Sequence, residues 1–152
     1  MNKRISQELK FRLIKCYIYA VFSYGCETWT VTRDLENKIN AFEMWIFRKV
    51  ANIKWSDRVS NEEVCKRLNV EKSLLNDIKK RKLCYFGHIK RHSSVKKEIL
   101  EGKIEGKRSR GRPPRKWEDD VKAWTEMDLY TCTRAAENRD VWRNLTRQPR
   151  PP

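Results

Sequence analysis

The chain has 152 residues, with 35 lysines and arginines against 20 acidic residues and a formal charge of +15. That balance excludes an acidic, solvating protein and points to a polyanion as partner. Apolar residues make up 39 %, yet six Trp, five Tyr and five Phe are too many aromatics for a disordered chain. A thin, aromatic-rich core is implied. Five scattered cysteines without a paired spacing read as reduced thiols of an intracellular protein, in nucleus or cytoplasm. The longest apolar stretch, Cys16 to Tyr24, is too short to span a membrane, and Lys10, Arg12 and Lys15 argue against a signal peptide.

In chain order, Leu9, Leu13, Tyr17, Ala20 and Tyr24 recur at helical spacing, so a helix is expected over Ile5 to Tyr24, stopped at Gly25. Leu35, Ile39, Phe42, Ile46, Val50 and Ile53 mark a second helix, with Asp34 at its start and Arg48 and Lys49 near its end. Ser60 followed by Glu63 spells a capping box that opens a short helix to about Leu68. A longer helix follows from Glu71 to Ile89, with Leu74, Ile78, Tyr85 and Ile89 inward and Lys79-Lys80-Arg81-Lys82 interrupting the stripe. From Ser93 to Arg115 the periodicity fails, and glycines and prolines predict a loop or short hairpin. Trp117, Val121 and Trp124 share one face of a further helix, and a last helix from Arg134 to Leu145 would bury Ala135, Trp142 and Leu145. The expected fold is all-α: a small bundle of five to six helices, a basic Gly/Pro-rich loop or hairpin, and a disordered tail. Its regions are a helical part over 1–92, the basic loop over 93–116, a helical pair over 117–146 and the tail over 147–152.

Charge is unevenly placed, with net +5 in residues 1–76 and net +10 in residues 77–152. Seven basic residues lie between Lys103 and Lys116, opposed only by Glu105. In Arg110-Gly111-Arg112 two guanidinium groups flank a residue without a side chain, so the strip can lie close to phosphates or enter a narrow minor groove. The same composition serves a solvated linker or a nuclear-import address. A second basic cluster, Lys79 to Lys82 with Lys90 and Arg91, sits on a helix beside Tyr85 and Phe86, which suits backbone tracking with base stacking. Candidate nucleic-acid contacts are therefore Lys79, Lys80, Arg81, Lys82, Lys90 and Arg91 on the helix, and Lys107, Arg108, Arg110, Arg112, Arg115 and Lys116 on the loop. Trp29 and Trp117 are read as core.

Cys84, His88 and His92 fall four apart on one helix, but three ligands spread over two turns do not converge on one tetrahedral zinc. No zinc is expected. Trp117-Glu118-Asp119-Asp120 imitates the aromatic-x-Asp-Asp motif of two-metal polymerases, which needs a tight turn within a sheet. Here the acids open an amphipathic helix and complement its dipole. No catalytic site is read, and no cofactor.

Several segments in order resemble one family. They are Ser23-Tyr24-Gly25-Cys26-Glu27-Thr28-Trp29, the Phe42-Glu43 helix ending in Asn52-Ile53-Lys54-Trp55-Ser56-Asp57-Arg58, and Asn61-Glu62-Glu63-Val64. Leu83-Cys84-Tyr85-Phe86-Gly87-His88-Ile89-Lys90-Arg91, Gly106 to Pro113 and Asp140-Val141-Trp142-Arg143 follow. Together they resemble the C-terminal part, thumb and beyond, of the endonuclease–reverse transcriptase of non-LTR (LINE-type) retrotransposons. The resemblance implies a helical grip on RNA, an RNA–DNA hybrid or DNA by the phosphates. It also implies a fragment without the parent's endonuclease and polymerase centres, so Mg²⁺ would belong only to that full-length enzyme. Two other readings stay open. Arg110-Gly111-Arg112-Pro113 matches the core of the AT-hook, a minor-groove module, except that Ser109 stands where the AT-hook has proline; the other is an inert transposon-derived polypeptide.

Overall fold

The computed structural model describes residues 5–101, 110–111 and 113–147. Those residues are helical throughout their regular structure, as the all-α expectation requires. They form two compact units, one of Met1–Gly25 with Thr32–Asp77 and one of Cys26–Val31 with Ile78–Pro152.

In the first unit, α1 (Gln7–Leu13) runs into a π-helical segment, Ile14–Tyr19, and a last turn, α2 (Ala20–Phe22). The π segment corrects the expected inward face. It places residues five apart on one side, so Ile14 and Tyr19 are buried, while Leu9, Leu13, Tyr17 and Tyr24 are exposed. Gly25 then takes a left-handed conformation, φ 68°.

Helix α3 (Arg33–Ala51) buries Ile39, Ile46 and Val50 as their spacing predicts, together with Met44 and Phe47. Its start is capped by the Thr32 hydroxyl and its end by Asn52 in the left-handed region. After a single 3₁₀ turn, Trp55–Asp57, comes α4 (Asn61–Leu68), whose first turn is held by Ser60 Oγ accepting from the Glu63 amide at 3.2 Å. Glu63 does not complete the box; its carboxylate pairs with Arg67 at 3.0 Å.

Glu43 is the polar centre of this unit. Wholly buried on α3, its Oε1 accepts from the Tyr19 hydroxyl at 3.1 Å and from the amides of Ser73 and Leu74 at 3.0 and 3.1 Å. The carboxylate thus caps the start of α5 (Leu74–Arg91) and places a negative charge at the positive end of its dipole.

The second unit takes the rest of α5 with α6 (Val95–Leu100), α7 (Trp117–Thr125), α8 (Leu129–Glu137) and α9 (Arg139–Leu145). Val95–Leu100 is helical where loop is expected. The single helix expected over Arg134–Leu145 is two, because Asn138 leaves the helical region and its side chain caps α9 through the amides of Asp140 and Val141. That break buries Ala136 and Trp142 and leaves Leu145 exposed. The expected hairpin and most of the expected disordered tail lie outside the described residues. Cys26–Val31 belongs to this unit because Lys82 Nζ donates to the Trp29 carbonyl, Asp120 accepts from the Val31 amide, and Trp117 donates to the Glu27 carbonyl.

Candidate nucleic-acid interface

The basic turn of α5 is divided by helix geometry. Lys80 and Arg81 are exposed, whereas Lys79 and Lys82 face inward beside Ile78 and Leu83. Lysines 79 and 82 lie three apart, like the residues of an apolar stripe. They therefore do not interrupt the stripe. They are in it.

Lys82 has no solvent exposure in its side chain. Its ammonium pairs with the equally buried Asp120, donates to the Trp29 carbonyl at 2.7 Å, and lies 4.6 Å and 5.5 Å from the ring centroids of Trp117 and Trp124. Burial pushes the Lys82 pKa down, and the hydrogen bond and charge of Asp120 oppose that push. Asp120 also accepts from Arg115 Nε at 2.8 Å and the Val31 amide at 2.6 Å. Of the acids expected to complement the dipole, Asp119 does so, accepting from the Lys116 amide at 2.8 Å and pairing with Lys122 at 2.7 Å. Asp120 instead neutralises the interior.

Lys79 stands 5.3 Å from the Trp124 ring centroid. Lys90 is buried against Phe86 at 5.5 Å, with Glu101 at 3.6 Å and Glu118 at 4.0 Å. Arg91 donates to the Ala136 carbonyl at 2.8 Å. As placed, Lys79, Lys82 and Lys90 cannot reach a phosphate, because their long apolar stems fill core and their ammonium groups are held by carboxylates, a carbonyl or aromatic faces. Of the neighbouring rings expected to stack on bases, Phe86 is closed off likewise, while Tyr85 is half-buried. Phe86 is fully buried, 6.3 Å from Trp117 and 5.3 Å from Trp142, and Tyr85 meets Trp117 edge-on. A +15 charge in a chain short of apolar residues gave no means of telling which lysines complete the core.

On the strip, Lys107, Arg108 and Arg112 lie outside the described residues. Arg110, Arg115 and Lys116 are exposed, on a non-helical approach through Gly111, Pro113 and Pro114 to α7. Gly111 has φ 128°, a conformation disfavoured for any residue with a side chain. Arg115 is shared with Asp120, so Arg110 and Lys116 are the more available of the described cations.

Cys84, His88 and His92 are exposed, the two imidazoles lying 4.4 Å apart centroid to centroid. Among the described residues no three His, Cys, Asp or Glu gather as a metal site, and no helix is long and apolar enough to cross a membrane. Compared with known proteins, the chain matches no family model, no curated protein and no solved structure.

Proposed function

We propose that this chain is a non-catalytic nucleic-acid-binding segment akin to the thumb and post-thumb part of a non-LTR retrotransposon reverse transcriptase, gripping RNA, an RNA–DNA hybrid or duplex DNA by its phosphates. One observation carries the reading: an excess of fifteen positive charges, with the longest basic run on a Gly- and Pro-punctuated strip whose described cations, Arg110, Arg115 and Lys116, are exposed. Arg110, Arg112 and Lys116, with Lys107 and Arg108, are its contacts. Lys80 and Arg81 are the α5 members on the exposed side. Binding of this kind is driven by counterion release and carries little sequence preference.

The test is binding to A·T-rich duplex, G·C-rich duplex and an RNA–DNA hybrid across a salt series. With about four to six phosphate contacts, the log–log salt slope on duplex DNA is about −4 to −5. Arg110→Ala with Arg112→Ala should weaken all three substrates alike and reduce the slope by about two units. A strong A·T preference lost in that double variant would replace this reading with minor-groove recognition. Absence of binding at low salt would end both.

A further inference from the structure

The first unit carries a feature that the basic strip does not explain. Trp55 is 96 % exposed. Water contact over a whole indole forgoes the burial that ordinarily places this side chain in a core or an interface. Nor is Trp55 on a slack loop. Asn52 closes α3 in the left-handed region, with the Ile53 amide donating to the Arg48 carbonyl at 3.0 Å. A 3₁₀ turn follows, in which Asp57 accepts from the Lys54 amide at 2.8 Å, and Arg58 is left-handed at φ 49°. The far side is fixed by Arg48, whose guanidinium donates to the Val59 carbonyl and to Asn61 Oδ1, both at 2.8 Å. The backbone is shaped to hold this indole outward.

Trp55 shares a solvent-open groove of about 1080 Å³ with Trp45, Lys49, Lys54 and Arg58. Trp45 is 56 % exposed, the outer ring of a stack with Phe42 and Phe22, and the Lys49 ammonium lies 5.6 Å from its centroid. Lys49, Lys54 and Arg58 are exposed around the two indoles. The one carboxylate on the turn, Asp57, is engaged by the Lys54 amide and by Ser56 Oγ. The volume exceeds the usual small-molecule pocket of about 300–1,000 Å³, and the groove is not enclosed. Flat aromatic faces among cations match a polyanion whose bases are unstacked. A duplex offers phosphates but no base faces.

We propose that Trp45 and Trp55 form a stacking platform for single-stranded nucleic acid, with Lys49, Lys54 and Arg58 on its phosphates. This rests on the reading of the chain as a nucleic-acid binder, but uses a different surface and engages base faces as well as phosphates. The full chain is titrated with fluorescein-labelled oligo(dT) and with a labelled duplex of mixed sequence, by fluorescence anisotropy. Trp55→Ala should weaken oligo(dT) about 5- to 150-fold while leaving duplex affinity unchanged. Trp55→Phe should retain part of the lost affinity, and a melting curve equal to the wild type's would show that the exposed indole is not needed for folding. Arg110→Ala with Arg112→Ala should do the reverse, weakening the duplex more than the single strand. Unchanged oligo(dT) affinity in Trp55→Ala, or an equal loss on duplex, overturns the platform and leaves backbone binding standing. Oligo(dT) binding lost in Trp55→Ala, with no duplex or hybrid binding in the wild type, supports the platform and overturns backbone binding of duplexes. A wild type that binds neither overturns both, leaving an acidic protein as the partner to test.

Discussion

Asp120→Asn should be among the most destabilising substitutions in the second unit, and the reason can be isolated by pairing it with Lys82→Met. The asparagine keeps an oxygen for the Val31 amide, now 2.6 Å from Asp120, but removes the charge that neutralises Lys82. Both side chains of the pair are wholly inaccessible to solvent, and removing one member of such a pair typically costs about 3–5 kcal/mol. In a unit of this size that lowers Tm by roughly 12 °C or more, at about 4–8 °C per kcal/mol. Lys82→Met leaves Asp120 with the Arg115 guanidinium and the Val31 amide, so its cost should be smaller, about 1–2 kcal/mol. With methionine at 82, Asp120→Asn should cost only about 1 kcal/mol, giving a coupling of about 2–4 kcal/mol. Denaturant melts of the four proteins measure that coupling. pH supplies a second readout. Burial already depresses the Lys82 pKa, and losing Asp120 removes the opposing pull. A lysine whose folded pKa lies below its unfolded value near 10.4 destabilises the fold while it must stay charged. The deficit of Asp120→Asn should therefore shrink as pH rises from the depressed folded value toward 10.4. Equal costs of Asp120→Asn in both backgrounds, within about 0.5 kcal/mol, would refute the coupling.

Glu118 has a buried Oε1 without a hydrogen-bond partner, and burial raises its pKa. Its protonated form thus favours folding below the ordinary glutamate value and loses that advantage as pH rises through the raised one, so Glu118→Gln should flatten that part of the stability profile and not destabilise at pH 7. Gly87→Ala should destabilise by about 1–3 kcal/mol despite alanine's better helix propensity, because the added methyl would collide with the Trp142 indole, whose Nε1 donates to the Leu83 carbonyl at 2.9 Å; a thermal melt decides the sign. Glu43→Ala should cost about 3 kcal/mol or more by orphaning the Ser73 and Leu74 amides and the Tyr19 hydroxyl, and hydrogen exchange should show the first turn of α5 opening.

The sequence spells out what local chemistry decides. The α3 stripe, the Ser60 cap and the Gly25 stop each depend on a few neighbouring residues, and each is where its spacing puts it. The π segment is not legible, because a single-residue widening leaves no compositional mark while turning Ile14 and Tyr19 inward and Leu13 and Tyr17 out. The division of α8 from α9 is written in the caps Asp128 and Asn138, which apolar periodicity alone does not register. The basic cluster on α5 shows a deeper limit. Whether a lysine stands in water or in the core depends on Asp120 and two indoles more than thirty residues away in sequence. Trp55 carried no signal of its own, since an indole beside apolar and charged residues reads equally as core.

The interior placement of lysine ammonium groups also gives the molecule a built-in chemical reporter. An acylating reagent must reach the amine it modifies, and the exposed Lys80 offers that access where its helical neighbours Lys79 and Lys82 are buried. Covalent labelling of the native chain should therefore alternate within a single turn of α5. The appearance of label on Lys82, wholly buried in the native fold, would time the opening of the structure around it with no engineered probe.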